Sequence, residues 1–128
     1  KGTITVVYID VDGVKRINDT LGHARGDRVL CCVAGALRGA LRRTDAFARV
    51  GGDEFVVLIE GNRPAPLLAR LQKALRRATL AEGLDVRFSV GAVTFHDAPR
   101  SADELLRRGD RVMYEAKSEG DRLVHRVA

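Results

Sequence analysis

Apolar residues in this chain follow two rhythms, short unbroken runs and repeats at three- and four-residue spacing, and their alternation lays out strands and helices in turn. Ile4-Thr5-Val6-Val7-Tyr8-Ile9 is almost continuously apolar, the pattern of a strand covered on both faces. Leu30, Val33, Ala34, Leu37 and Leu41 recur at helical intervals and predict a helix from about Ala24 to Arg42. Ala46 to Val50 and Phe55 to Ile59 flank a Gly-Gly turn and predict a β-hairpin. Leu67, Leu68, Leu71, Ala74, Leu75 and Ala78 form the apolar stripe of a helix from about Pro64 to Thr79, with Pro64 suited to its first turn. Val86 to Phe95 predicts a strand in which Gly91 marks a bulge or a close-packing point. Ser101 and Glu104 form a capping box that opens a helix to about Lys117, and Leu123-Val124-His125 is a short terminal strand. The predicted order is β-α-α-β-β-α-β-α-β, an α+β chain with helices laid on one sheet.

Composition narrows this picture without changing it. With 128 residues, 45% hydrophobic and 30% charged, the chain fits one compact domain, residues 1–128, and no repeat or linker divides it. Its apolar runs are too short to cross a bilayer and no signal peptide precedes the first strand, so a cytoplasmic location and no direct membrane contact from this segment are expected. Cys31 and Cys32, adjacent on a helix, read as small buried residues rather than a disulfide or metal pair. The net charge of +5 is spread over predicted helices, with Arg38, Arg42 and Arg43 on one and Arg70, Lys73, Arg76 and Arg77 on another. Solvated helix faces account for this, and a polyanionic nucleotide is the functional alternative. The absence of Trp and the presence of only two Tyr argue against nucleic acid as a partner.

Chemistry concentrates in two acidic clusters. Asp10 and Asp12 close the first apolar run, and Asp53 and Glu54 sit on the hairpin turn behind Gly51 and Gly52, whose missing Cβ and tolerance of positive φ let main chain lie close to a ligand. An ordinary solvated turn would select the same residue types. If the first strand neighbours the hairpin, Asp10 faces Asp53 and Glu54, and three converging acids need a cation. Oxygen ligands without paired His or Cys favour Mg²⁺ or Mn²⁺ over zinc.

Three stretches, Asp10-Val11-Asp12-Gly13-Val14-Lys15-Arg16-Ile17-Asn18-Asp19-Thr20-Leu21-Gly22-His23-Ala24-Arg25-Gly26-Asp27, then Gly51-Gly52-Asp53-Glu54-Phe55, then Asp110-Arg111-Val112-Met113-Tyr114-Glu115-Ala116-Lys117, together resemble the GGDEF-domain diguanylate cyclases. The resemblance spans nearly the whole chain. It implies a ferredoxin-like core of the nucleotidyl-cyclase type, a five-stranded sheet with flanking helices and a β-hairpin carrying the signature turn. It also implies condensation of two GTP into cyclic di-GMP across a homodimer, with two Mg²⁺ or Mn²⁺ ions per active site. Asp10 and Glu54 are then the expected metal ligands, with the Val11 carbonyl as a further oxygen, and Asp53 is either a ligand or the base that receives the ribose proton. Guanine falls to Asn18 and Asp27 with His23 nearby, although helix termination and capping alone would also account for Asn18 and Asp27. Lys15 and Lys117 are expected on the triphosphate, and Gly51 and Gly52 beside the substrate. Arg42-Arg43-Thr44-Asp45 has the Arg-x-x-Asp spacing of feedback-inhibited members, so an inhibitory cyclic di-GMP site is expected at Arg42 and Asp45 with Arg49. A basic C-terminal helix turn is the plain alternative there.

Two positions depart from the family pattern. Val14 stands where Phe is usual, which would loosen the wall of the nucleotide pocket, and Asp121 stands where a basic residue normally assists the phosphates. The usual helical lead-in is also absent, so the chain is expected to be a catalytic module joined to an N-terminal sensory or dimerising domain. Two other functions stay open: a catalytically silent domain that binds GTP or cyclic di-GMP, and a basic nucleic-acid-binding module, which the acidic clusters disfavour.

Overall fold

A computed structural model describes residues 3–61, 64–84, 86–97, 101–118 and 123–127. Among these described residues nine elements follow one another: β1 (Ile4–Asp12), α1 (Val14–Leu21), α2 (His23–Ala40), β2 (Ala46–Arg49), β3 (Glu54–Glu60), α3 (Pro64–Ala81), β4 (Arg87–Phe95), α4 (Ala102–Ser118) and β5 (Leu123–Val127). The strands form one sheet in the order β2-β3-β1-β4-β5, antiparallel except where β5 runs parallel to β4. The first four strands with their intervening helices reproduce a ferredoxin-like β-α-β-β-α-β arrangement, to which α4 and β5 add a further parallel crossover.

β1 is the central strand, and its alternation sorts the two cores. Val7, Ile9 and Val11 point into a core shared with α1, α2 and α3, whereas Val6 and Tyr8 point into a smaller one beneath α4. The smaller core is narrower because α4 packs over β4, β1 and β5 and does not extend across β3. Leu58, on that face of β3, is consequently exposed.

Backbone geometry explains several sequence choices. Gly13 ends β1 and caps α1 at φ 95°, and Gly22 joins α1 to α2 at φ 94°, both left-handed values that a side chain would strain. Gly91 makes no bulge, since the β1–β4 register runs through it unbroken. It is a close-packing point: a Cβ there would lie 2.7 Å from the Met113 nitrogen and 2.9 Å from the Val112 carbonyl carbon. The Ser101 hydroxyl accepts the Glu104 N–H at 3.2 Å, which opens α4 as the capping pattern anticipated.

Other expectations are corrected. Helix α2 stops at Ala40, leaving Arg42 and Arg43 in the following turn. Cys31 is exposed because the buried positions of its turn are Val29, Leu30 and Val33. Val14 is buried with Ile17 in the larger core, so its smaller side chain is a packing matter there. Asp121 lies outside the described residues. Among those described, no helix is long and apolar enough to cross a membrane.

Gly91→Val should lower the urea midpoint by an amount equivalent to about 1–3 kcal/mol, because the obstructing atoms are backbone and cannot rotate away. An unchanged midpoint would contradict this packing.

Candidate functional site

The site begins with register. Asp10 of β1 is the Cα partner of Glu54 on β3, and the Val11 N–H donates to the Asp53 carbonyl at 2.9 Å, which ties the hairpin turn to the central strand. Asp10 and Glu54 therefore share the sheet face beside α4, with Asp53 one residue away on the turn. Asp10 is 5% exposed. One of its oxygens, Oδ2, takes the Lys117 ammonium from α4; the other, Oδ1, is buried and has no hydrogen-bond partner.

Electrostatics follow from this crowding. Burial, with the charges of Asp53 and Asp12 added, raises the Asp10 carboxyl above its ordinary value even against the lowering effect of Lys117. Burial raises Glu54 as well, followed by repulsion from Asp10, Asp110 and Asp53. Lys117 is raised in turn, first by its bond to Asp10. Asp110 is a residue to which sequence reasoning assigned no role. It was quoted only within a motif, and its proximity to Glu54 depends on how α4 crosses the sheet. Tyr8 lies on the same face, its phenol pushed up to about 12 by burial and then by Asp110 and Glu54. Its hydroxyl donates to the Leu106 carbonyl at 3.0 Å and its ring covers Gly109, so it seats α4 against β1.

Oxygen donors of this kind suit a hard divalent cation, and the unpartnered Asp10 Oδ1 leaves coordination capacity unused. Among the described residues, however, no three His, Cys, Asp or Glu side chains stand together as a formed metal cluster. The acids share one end of the sheet without closing a cage, and Lys117, expected on a triphosphate, is paired with Asp10 instead.

Gly51 and Gly52 are exposed and neither adopts positive φ, so the turn does not require glycine for conformation. Nothing lies within 4 Å of a Cβ built on Gly52, and the consequence of its small size is open space beside the acids. Arg49 donates to the Gly51 carbonyl at 3.1 Å and to the Gly52 carbonyl at 2.8 Å, clamping the turn.

A second cluster forms where α1 meets α2. Asn18 lies against Gly26, where any Cβ would overlap its amide, and the Asn18 Oδ1 is buried without a partner. His23 and Asp27, one turn apart on α2, are exposed, Asp27 following Gly26 in the chain, and Lys15 is exposed in the first turn of α1.

Arg42 and Asp45 are bonded to each other. Asp45 accepts from the Arg42 main-chain N–H at 2.8 Å, from Nε at 3.1 Å and from Nη2 at 3.2 Å, while Nη2 also donates to the Glu60 carbonyl at 2.7 Å. Burial alone would raise the Asp45 carboxyl, but these bonds outweigh it and hold the group below its ordinary value. The Asp45 side chain is fully covered, whereas that of Arg42 is half exposed. Arg49 sits at the opposite end of β2, roughly 13 Å along the strand, so the structure does not bring it to this pair.

The family model "Diguanylate cyclase, GGDEF domain" matches residues 1–122. Diguanylate cyclase A of Treponema denticola is 33% identical over 126 residues, covering 94% of this chain and 34% of that protein. Diguanylate cyclase DgcP of Pseudomonas aeruginosa is 39% identical over 131 residues, covering 95% of this chain and 19% of that protein. Among solved structures, the diguanylate cyclase SiaD of Pseudomonas aeruginosa, in complex with its activator SiaC, superposes with a TM-score of 0.85 at 33% identity, over 97% of this chain and 50% of that one. The chain thus spans about a third or less of these two curated relatives.

Glu54→Gln should raise the thermal midpoint measured in EDTA near pH 8. The sign follows from the raised carboxyl: the folded state holds the proton more tightly than the unfolded chain, so the ionised form opposes folding above the folded pKa. The gain should vanish as pH falls through the carboxylate range and wild-type Glu54 becomes neutral. A gain that persisted at low pH would contradict the electrostatic reading.

Proposed function

Because the chain belongs to the GGDEF-domain family of diguanylate cyclases, we propose that it condenses two GTP molecules into cyclic di-GMP and releases pyrophosphate. The observation that carries this reading is Asp10: a carboxylate buried at the end of the central strand, in register with Glu54, with one oxygen left unpartnered. Asp10 and Glu54, with Asp53 and the Val11 carbonyl, would hold Mg²⁺ or Mn²⁺, two ions per site. Bound there, divalent ions supply charge neutralisation at the triphosphate and acidify the attacking hydroxyl.

The remaining roles fall to side chains and main chain. Asn18 and Asp27 accept the adjacent N1–H and N2–H of guanine, whereas adenine presents an acceptor at N1 and is repelled. His23 borders that base. Gly51 and Gly52 leave the turn open for ribose and phosphates, and Arg49 keeps it in shape. Lys15 and Lys117 neutralise phosphate oxygens. Each step forms a bond from a ribose 3′ oxygen to an α-phosphorus and breaks the bond to the bridging oxygen of the pyrophosphate. The hydroxyl proton passes to Asp53 or to water. One chain holds one GTP, so two chains must face each other, and an N-terminal domain beyond this segment would bring them together.

Product inhibition belongs to the same proposal. The Arg42 guanidinium is half exposed and pre-oriented by Asp45, so its Nη1, which the bonds to Asp45 and Glu60 do not use, can donate to guanine or phosphate without losing rotamer freedom on binding. Cyclic di-GMP is the expected ligand there.

Purified protein dimerised through its N-terminus should convert GTP and Mg²⁺ to a cyclic dinucleotide and pyrophosphate. Asp10→Ala or Glu54→Ala should each reduce kcat by about a hundredfold or more, and Asp27→Ser should relax the preference for GTP over ATP. Undiminished turnover in the first two would refute the metal assignment. Arg42→Lys keeps a charge on Asp45 but loses the Nη1 donors. It should leave the initial rate intact and weaken inhibition by added cyclic di-GMP roughly tenfold, equivalent to about 1.4 kcal/mol. Unaltered inhibition would place the second site elsewhere.

A further inference from the structure

Lys117 lies on α4 and Asp10 on β1, and the pairing of their charges is set by the seating of one element on the other. Tyr8 fixes that seating through its bond to Leu106 and its contact with Gly109, two helical turns before Lys117. The Asp10 side chain is 7% exposed and that of Lys117 is 46% exposed, so the ammonium enters from the solvent side while its carboxylate stays inside. Asp12 and Asp53 also attract this ammonium. A buried carboxylate among other acids strongly favours a cation beside it, and Lys117 supplies one from the protein itself.

We propose that Lys117 is a resident cation, neutralising through Oδ2 the same Asp10 carboxylate whose unpartnered Oδ1 a divalent metal would take, and that it leaves this carboxylate only when metal arrives with a nucleotide. The proposal rests on the reading of Asp10 as a metal ligand. Free metal would have to expel Lys117 into water with nothing to receive it. A metal–triphosphate complex brings several phosphate oxygens, and the same flexible four-carbon stem lets the ammonium swing from Asp10 onto them. One cation leaves Asp10 as another arrives, so the carboxylate is never left without a counter-charge. The expected role of Lys117 on the triphosphate and its observed place on Asp10 are then two positions of one side chain. The site would remain closed to free divalent ions and open to them as nucleotide complexes.

This exchange gives Lys117→Met opposite effects on two ligands, which a merely structural role would not. Titrated with Mn²⁺ alone and followed by loss of the free-ion EPR signal, Lys117→Met should bind at least about tenfold more tightly than wild type, because the internal competitor is gone. With metal present, a non-hydrolysable GTP analogue should bind about tenfold more weakly, because a phosphate contact is gone. Lys117→Arg retains a cation and should bind Mn²⁺ alone as weakly as wild type, which also controls for folding. Equal or weaker Mn²⁺ binding by Lys117→Met would overturn the exchange. Adding Asp10→Asn to Lys117→Met should abolish the gained affinity. Mn²⁺ binding that survived the added Asp10→Asn would overturn the metal assignment itself, and the two failures are therefore distinguishable.

Discussion

A carboxylate taken out of water at the end of a central strand must be given a cation, and much of this molecule is arranged around that requirement. Leaving Asp10 charged and unpaired in the sheet would cost several kcal/mol. Strand β1 is hydrogen-bonded on both sides, so Asp10 cannot turn away from its neighbours. The β3 register sets Glu54 opposite it, the hairpin carries Asp53 alongside, and α4 brings both Asp110 and Lys117 to the same region. The fold holds like charges near one another at an expense in stability, a trade that recurs where binding rather than folding is served.

The two halves of the candidate site rely on different devices. At the acidic end, the incompleteness is electrostatic: one oxygen of Asp10 is matched and the other is not. At the junction of α1 and α2 it is a matter of hydrogen bonding, because Gly26 makes room for Asn18 while nothing satisfies the amide oxygen. Native interiors rarely leave such groups alone, and each gains a partner if a nucleotide lies between them. Arg42 and Asp45 form the contrasting case. They are bonded to each other, and Arg42 also to the Glu60 carbonyl, so that cluster is already tied together while half of the Arg42 side chain stays exposed.

Much of this was legible along the chain. The apolar run of β1, the helical stripes of α2 and α3, the hairpin and the capping serine of α4 all express local periodicity or turn chemistry, and the ferredoxin-like, five-stranded core followed from the resemblance to known domains. What could not be read depended on contacts between distant segments. Leu58 has the pattern of a buried residue and is exposed because α4 stops short of β3. Cys31 looks like core until the direction of α2 is known. Arg49 closes the strand that follows the Arg42 cluster yet reaches the other way, to the Gly-Gly carbonyls. The ion pair of Lys117 with Asp10 joins the first strand to the last helix, and no local pattern encodes it.

The most direct test of this account is an anomalous-scattering map of crystals grown with Mn²⁺ and a non-hydrolysable GTP analogue. The account predicts manganese peaks within coordination distance of Asp10 and Glu54, the guanine edge on Asn18 and Asp27, and Lys117 turned from Asp10 towards the phosphates. Manganese held by the nucleotide alone, with Lys117 still on Asp10, would contradict it.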